Sequence, residues 1–497
     1  MQSQISSNFQ ISPHAFNKED WASSYCNVEK ELTKIELKVI KGKVPQSLKG
    51  TFYRNGPGRL ERNNQWVHHP FDGDGMISAM EFKKGIVSFT NKFVRTKEWE
   101  KEEKAGKFLY RGVFGTQKAG GVLNNAFDTR LKNIANTNVV KLGGELLALW
   151  EASSPHSLDP ENLRTIGIST LKNTLKKGEA FSAHPRFDPG HNAKEPKMVT
   201  FGVTTGPKST IRLMEFATTG KNAGNLISER KDNFNGFAFL HDFAITPNWA
   251  IFLQNSIQFN PLPFLLGQKG AAQCISSNPK GKAKFWIIPR DSGSFSKQKP
   301  QIFDAPDGFV FHHLNAWEDN NEIILESIFY DDFPSIKPNE NFREIDFSKI
   351  PEGILKRCRL NLSNKTFETQ SLSNQCCEFA MVNPIKIGLS ARYAWMATAQ
   401  QPKGNAPLQC IKKLDLVSGK EVIWSAGPRG FVSEPLMVPD KSSSIEDNGW
   451  ILVLIWNGAR KANDLIVLKA NDLSEEAVLE VPLAIPHGLH GSWADAN

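Results

Sequence analysis

The stretch Gly236-Phe-Ala-Phe-Leu-His-Asp-Phe-Ala-Ile-Thr246 sets one histidine, His241, inside an apolar, β-rich run. An imidazole in such surroundings must be hydrogen-bonded or bound to something, because an unsatisfied buried polar group is costly. We read His241 as a metal ligand. Three further stretches share its texture: Phe181-Ser-Ala-His-Pro-Arg186, Gly308-Phe-Val-Phe-His-His-Leu-Asn-Ala-Trp-Glu318 and Gly488-Leu-His-Gly-Ser-Trp493. A lone histidine in an apolar strand is more often a hydrogen-bonded core residue than a ligand. Four in like settings, spread through two thirds of the chain, point instead to separate β-units converging on one axis. At His312-His313 the alternation of a strand sends neighbouring side chains to opposite faces, so only one of the pair can reach a shared centre. Spacing alone does not say which.

Working outward, short strand signals recur from Leu37–Lys43 onward. They include Gly50–Gly58, the pair Ile77–Phe82 and Ile86–Phe93 joined by Lys83-Lys84-Gly85, and Leu146–Trp150, Met198–Val203, Ile211–Phe216, Trp249–Gln254, Lys284–Ile288, Glu322–Phe329, Ala391–Ala397 and Trp450–Trp456. Short strands punctuated by glycine, proline and asparagine indicate an all-β sandwich, barrel or propeller. Length favours the propeller, which grows by adding blades. The intervals from His184 to His241 and from His241 to His312 are comparable to 497/7, the length per blade of a seven-bladed ring. No glycine/serine-rich or proline-rich linker divides the chain. We expect residues 1–30 to be a lead-in and 31–497 to be a single propeller domain. The charged, helix-prone Glu98–Lys107, the basic amphipathic Ser169–Glu179 and the apolar loop Asn260–Gly267 are expected to cap one face.

Composition removes several function classes. Lysine and arginine number 60 against 52 acidic residues, a net charge of +8 spread among turns. A diffuse excess fits weak attraction to anionic membranes, and no recognition-helix or zinc-finger pattern supports nucleic-acid binding. The six cysteines form no Cys-x-x-Cys pair and read as reduced thiols. Met1–Phe16 has neither the basic nor the apolar region of a secretory signal, so a cytoplasmic location is expected. The apolar run Trp450–Trp456 falls far short of the ~20 residues of a spanning helix.

Three glutamates stand in equally apolar surroundings: Glu151 after Leu146-Leu-Ala-Leu-Trp150, Glu378 in Cys376-Cys-Glu-Phe379 and Glu434 in Phe431-Val-Ser-Glu-Pro435. A ligand histidine needs an acceptor for its second ring N–H, and a carboxylate supplies one while orienting the ring. Structural ion pairs to arginine would equally account for each glutamate alone. Asp72-Gly-Asp-Gly75 has the start of a calcium loop, but Lys83 occupies the position that needs a bidentate glutamate. Metalloprotease, serine-hydrolase and phosphate-loop motifs are absent from the sequence. Phenylalanine is abundant, 33 residues, and Phe181, Phe239, Phe243, Phe309 and Phe311 lie beside the histidines. They serve as core packing or as the wall of an apolar tunnel.

At these residues the chain resembles the carotenoid cleavage oxygenase family. The resemblance runs from Tyr53-Arg-Asn-Gly-Pro-Gly58 through His69-Pro-Phe-Asp-Gly-Asp-Gly75, Asn136-Thr-Asn138, Leu147-Ala-Leu-Trp-Glu151 and all four histidine stretches to the carboxyl terminus. It implies a seven-bladed β-propeller with ferrous iron on its axis, one Fe2+ per chain, beneath a cap of loops and helices that holds a substrate tunnel. By position it implies His184, His241, His312 and His490 as ligands, with His312 chosen because the family's ligand precedes Asn-Ala by three residues. It further implies that Glu151 supports His241, Glu378 supports His312 and Glu434 supports His490, and that His184 has no such partner. Phe71, Trp150 and Phe311 look like tunnel-wall residues, and Thr137 like the residue whose methyl group crowds the iron's open position. The implied reaction adds dioxygen across the central 15,15' double bond of an apocarotenal or apocarotenol, giving retinal and a second carbonyl product.

Three rivals stand beside that expectation. Two share the fold, cleavage of phenolic stilbenes and retinoid isomerohydrolase activity, and the third is a non-catalytic carotenoid-binding propeller. Decay of function should have cost at least one ligand or carboxylate, and all seven are present. An insoluble substrate also needs a route in. Leu262, Phe264, Leu265 and Leu266, with neighbours such as Val122 and Leu123, are expected to form an exposed apolar patch that touches membrane lipid at the tunnel mouth.

Overall fold

The computed structural model describes residues 16–191, 194–206, 208–278, 280–290, 298–334 and 340–496. Among the described residues, seven antiparallel sheets of four to six strands form the blades of a propeller, with two two-stranded ribbons beside them. In chain order, blades 2 to 6 are each a four-stranded meander within 138–168, 186–235, 244–304, 309–371 and 377–425. Both ends of the chain close the ring. The carboxyl-terminal strand Gly491–Asp495 pairs with Gly50–Arg59 and completes blade 1, while Lys38–Gly42 pairs with Glu475–Glu480 and completes blade 7. The adjacent Ile35–Glu36 instead joins blade 1 through Ile86–Phe93. The first strands of the chain therefore link the first blade to the last.

The burial of each strand follows from its place in a blade. Gly449–Asn457, at the middle of blade 7, is buried along nearly its whole length because neighbouring blades cover both faces. Leu226–Asn235, the outer strand of blade 3, alternates half-buried and exposed residues, with Glu229 and Lys231 on the exposed face and Arg230 and Asp232 paired on the other. Seven apolar clusters fill the spaces between successive blades. Phe52, Phe82, Leu452 and Leu465 lie between blades 7 and 1, and Tyr53, Ile77, Val139 and Leu146 lie between 1 and 2. The remaining five follow around the ring, so every blade is held by both of its neighbours.

The cap is built from short pieces. The charged segment near residue 100 is the helix Lys97–Ala105, with Thr96 accepting from the Trp99 amide and Gly106 ending it at φ 62°. Its Glu102 is fully buried and binds Lys132 at 2.6 Å, while Arg62 bridges Asp74 at 2.7 Å and Glu103 at 2.5 Å. This network ties the helix to blade 1. The basic amphipathic Ser169–Glu179 forms turns, with Leu171, Lys172 and Asn173 all at positive φ and Leu171 and Leu175 buried between blades 2 and 3. One expectation is corrected. Asn260–Gly267 contains a helical turn, Pro261–Leu265, begun by an Asn260 side chain that accepts from the Leu262 amide at 3.2 Å.

The apolar patch is also redrawn. Phe264 is buried, with its ring 4.2 Å beneath the guanidinium of fully buried Arg111. Arg111 draws the segment inward because it donates to the carbonyls of Asn125, Asp128, Phe264 and Lys269, at 2.7–3.2 Å. Leu265 and Leu266 are half-buried. Leu262 is exposed, as are Val122, Leu123 and Phe127 on the adjoining segment, whose Phe127 amide donates to the Leu265 carbonyl at 2.7 Å. Among the described residues, no helix is long and apolar enough to cross a membrane.

Candidate metal centre

Each blade delivers one of the seven singled-out residues to the axis. His490, His184, His241 and His312 come from blades 1, 3, 4 and 5, at or just before the strands Gly491–Asp495, Arg186–Asp188, Ala244–Ile245 and Phe309–Asp319. Glu151 follows Glu145–Leu149 of blade 2, Glu378 lies in Cys377–Val382 of blade 6, and Glu434 sits between Gly430–Val432 and Leu436–Pro439 of blade 7. One potential ligand atom from each histidine lies within 4.8 Å of those of the other three. His184 Nε2 and His241 Nε2 are 3.0 Å apart, and His312 Nε2 is buried without a protein partner.

The outer nitrogens meet the carboxylates. His241 Nδ1 is 2.7 Å from Glu151 Oε2, His312 Nδ1 is 2.6 Å from Glu378 Oε2, and His490 Nδ1 is 2.8 Å from Glu434 Oε1. No carboxylate is paired with His184 among the described residues. An ionised carboxylate can only accept, so each of these Nδ1 atoms donates its proton and leaves Nε2 as a lone-pair acceptor. Acceptors converging on one point repel unless a cation lies between them. The donor set therefore fits a metal ion held by neutral imidazoles.

Electrostatics agree with ionised acids and with neutral rings at His184 and His490, while His312, against the lowering effect of burial, is raised by the charge and hydrogen bond of Glu378. Burial, reinforced by the three neighbouring imidazoles, pushes His184 well below the usual histidine range. Burial would raise Glu378 and Glu434. For Glu378 the N–H of the His312 ring, directed at the carboxylate, and the hydroxyl of Tyr330, 2.5 Å away, hold the carboxyl below its ordinary value. His490, Arg54 and the Gly491 amide do the same for Glu434.

The strands that carry the ligands are locked by groups to which the sequence reading gave no role. Arg186 donates to Asp242 Oδ2 at 2.5 Å, to the His313 carbonyl at 2.6 Å and to the Phe243 carbonyl at 2.8 Å, while Asp242 Oδ2 accepts from the His313 amide at 2.8 Å. Blades 3, 4 and 5 thus meet at one ion pair directly behind three of the histidines. Arg54, 3% exposed, binds Glu434 at 2.6 Å and the Leu489 carbonyl at 2.9 Å. A charged residue in the interior of the strand Gly50–Arg59, where nearly every position is buried, was the available signal for Arg54. Phe379 had none: it adopts φ 56° beside Glu378, and its ring lies 5.7 Å and 5.4 Å from those of His312 and His490.

Within the histidine pair, His312 faces the axis and His313 points away to Ser327 Oγ at 2.6 Å. The remaining residues surround the centre unequally. Phe311 packs 5.5 Å from His241, and Phe71 lines a cavity of about 150 Å3 with Phe379. Trp150 is buried beside Glu151. Thr137 is buried, and its carbonyl accepts from the His490 amide at 3.0 Å.

The chain is similar to known proteins along nearly its whole length. The chain is 43% identical over 488 residues to the apocarotenoid-15,15'-oxygenase of Synechocystis, covering 97% of this chain and 98% of that one. It is 27% identical over 482 residues to an isoeugenol monooxygenase of Pseudomonas putida, covering 94% and 96%. It is 28% identical over 483 residues to a lignostilbene-alpha,beta-dioxygenase isozyme of Sphingomonas paucimobilis, covering 92% and 93%. The crystal structure of a cobalt-substituted Synechocystis apocarotenoid oxygenase superposes with a TM-score of 0.93 at 43% identity, covering 97% of this chain and 100% of that one. With the model for the retinal pigment epithelial membrane protein family matching residues 25–495, the chain belongs to that family, the carotenoid cleavage oxygenases.

Proposed function

We propose that the protein is a non-haem iron(II) dioxygenase that cleaves the central 15,15' double bond of an apocarotenal or apocarotenol. The observation that carries this reading is the set of three histidine–glutamate pairs around four converging ring nitrogens, in a chain 43% identical to an apocarotenoid-15,15'-oxygenase. His184, His241, His312 and His490 hold the metal, and Glu151, Glu378 and Glu434 fix the tautomer and tilt of three of them. Iron bound by four neutral imidazoles keeps its full charge and supplies dioxygen binding and activation beside the polyene. Intrinsic affinity would favour copper or zinc on such ligands, so supply and geometry select iron.

The chain's own residues position and exclude. Phe71, Trp150 and Phe311 wall the tunnel and keep water from the polyene, and Thr137 narrows the space beside the centre. Both oxygen atoms of dioxygen end in product, one on each new carbonyl, and one product is retinal. The exposed Val122, Leu123, Phe127 and Leu262 contact membrane lipid, making the protein peripherally membrane-associated and giving an insoluble substrate a short path in. The test is anaerobic loading with ferrous iron, addition of apocarotenals and apocarotenols with air, and identification of the products by chromatography. Retinal with its partner carbonyl supports the reading. Turnover of stilbenes alone, or isomerisation without oxygen uptake, overturns it.

A further inference from the structure

The cavity that Phe71 and Phe379 line is bounded on its far side by the amino-terminal segment. Its wall includes Trp21, Tyr25, Phe431 and His487. The segment is firmly held there: Asp20 pairs with Arg429 at 2.7 Å, and Trp21 Nε1 donates to the Phe342 carbonyl at 3.1 Å. The cavity lies one aromatic ring behind the histidine centre, since Phe379 contacts the rings of His312 and His490 on its other side. Nearly all of its wall is apolar.

Three polar side chains besides the Trp21 indole interrupt that wall, and a proton count fixes what each offers. Ser24 Oγ is 2.6 Å from the Trp21 carbonyl and 2.8 Å from His487 Nε2. A carbonyl can only accept, so the single hydroxyl proton goes to Trp21 and Ser24 Oγ must accept from His487 Nε2–H. The ring is neutral, because burial pushes it down to about 4. Its Nδ1 is then a bare acceptor, and no described group donates to it. Tyr25, packed edge-on at 5.2 Å, is buried, and burial pushes its phenol up, so it stays a donor. No described group accepts from its hydroxyl. The third polar side chain of the wall, Ser433, has committed its proton to the Leu454 carbonyl at 2.8 Å.

We propose that Tyr25 and His487 form a specificity site that reads the oxygenated end of the substrate as a hydroxyl. An alcohol accepts from Tyr25 and donates to His487 Nδ1, satisfying both groups. An aldehyde oxygen only accepts, so it can use Tyr25 but leaves the Nδ1 lone pair desolvated and unpaired. The site therefore favours an apocarotenol over the matching apocarotenal. This assignment rests on the reading of the protein as an apocarotenoid oxygenase and narrows its substrate class.

The test separates binding from turnover. Iron-loaded protein is titrated without oxygen with an apocarotenol and with the aldehyde of the same carbon skeleton, following the quenching of tryptophan fluorescence. The alcohol is expected to bind about tenfold more tightly, the size of one net hydrogen bond. The His487→Phe variant, which keeps a ring against Trp21, is expected to bring the ratio close to one. Ser24→Ala leaves the ring in place but frees its tautomer, and is expected to reduce the ratio part of the way. Equal affinities in the unaltered protein, or a preference that survives in both variants, overturn the proposal. A preserved tenfold preference with no cleavage on admitting oxygen would instead sink the oxygenase reading and leave the hydroxyl site standing. Should His487→Phe fail to fold, Ser24→Ala decides.

Discussion

Replacing the three glutamates by alanine should weaken the metal similarly but destabilise the protein unequally. Removing a carboxylate that orients a ligand costs ~10- to 100-fold in metal affinity or activity. For Glu151 the loss stops near there. Its side chain is 24% exposed and its hydrogen bond is to His241, so Glu151→Ala removes about 0.5–1.5 kcal/mol from the metal-free fold. Glu434→Ala strands the Arg54 guanidinium, whose side chain is 3% exposed, and leaves the Gly491 amide without its acceptor. Breaking a buried ion pair from one side costs about 3–5 kcal/mol. Metal affinity is read by chelator competition, and stability by thermal scans of metal-free protein at one fixed rate, since a chain of this size need not unfold reversibly. The midpoint of Glu434→Ala should fall well below that of Glu151→Ala. Adding Arg54→Met should raise the midpoint in the Glu434→Ala background but lower it in the unaltered protein. Equal midpoints for the two alanine variants, or an Arg54→Met effect of the same sign in both backgrounds, would refute the argument that Arg54 depends on Glu434.

Three further outcomes are expected. His312→Ala should abolish stoichiometric iron binding, whereas His313→Ala, which removes a hydrogen bond to Ser327, should retain iron and lower only thermal stability; metal analysis after dialysis distinguishes them. Serine at Val122, Leu123, Phe127 and Leu262 together should reduce sedimentation with anionic liposomes without changing the melting midpoint, while Phe264→Ser alone should cost about 3–5 kcal/mol through the void left under Arg111. Buried His156 is held down to about 4 by desolvation, so between pH 6.5 and 4 the unfolded chain binds a proton that the folded chain refuses. Its contribution is intact above pH 6.5 and falls by about 3 kcal/mol as pH drops to 4, and His156→Phe should flatten the midpoint's dependence over that window if the folded ring is neutral.

How far the sequence carries depends on whether a feature is local. The central strands were legible because continuous apolar runs such as Trp450–Trp456 are buried between blades on both faces. Outer strands such as Leu226–Asn235 and Thr366–Ser371 carry little sequence signal, because an exposed blade edge tolerates charges and polar residues, which erase the apolar pattern. The helical turn at Pro261 carries a start signal, asparagine followed by proline, but its run of leucines and a second proline give it the composition of an apolar loop. Phe264 could not be placed from its neighbours, since the cation that buries it stands more than a hundred positions earlier. For the histidine pair, alternation alone states that the two rings diverge, the family resemblance points to His312, and the approach of Glu378 from the next blade and Ser327 from the adjacent strand is the physical reason that His312 faces inward.

The arrangement of carboxylates also has a charge logic that no single motif contains. A divalent cation, three ionised glutamates and the Arg54 guanidinium bound to Glu434 sum to zero, with four neutral imidazoles between them. In a buried site that balance matters, because an uncompensated charge carries a desolvation penalty of several kcal/mol. A fourth carboxylate behind His184 would leave the centre negative. Blade 3 instead places Arg186 two residues beyond His184, where it pairs with Asp242 at 2.5 Å and adds no net charge. His184 is thus held through its strand rather than through its ring. Of the four rings it should be the one whose orientation changes most when the metal is removed, a difference that crystal structures with and without the ion would register as a larger rotation of His184 than of His241, His312 or His490.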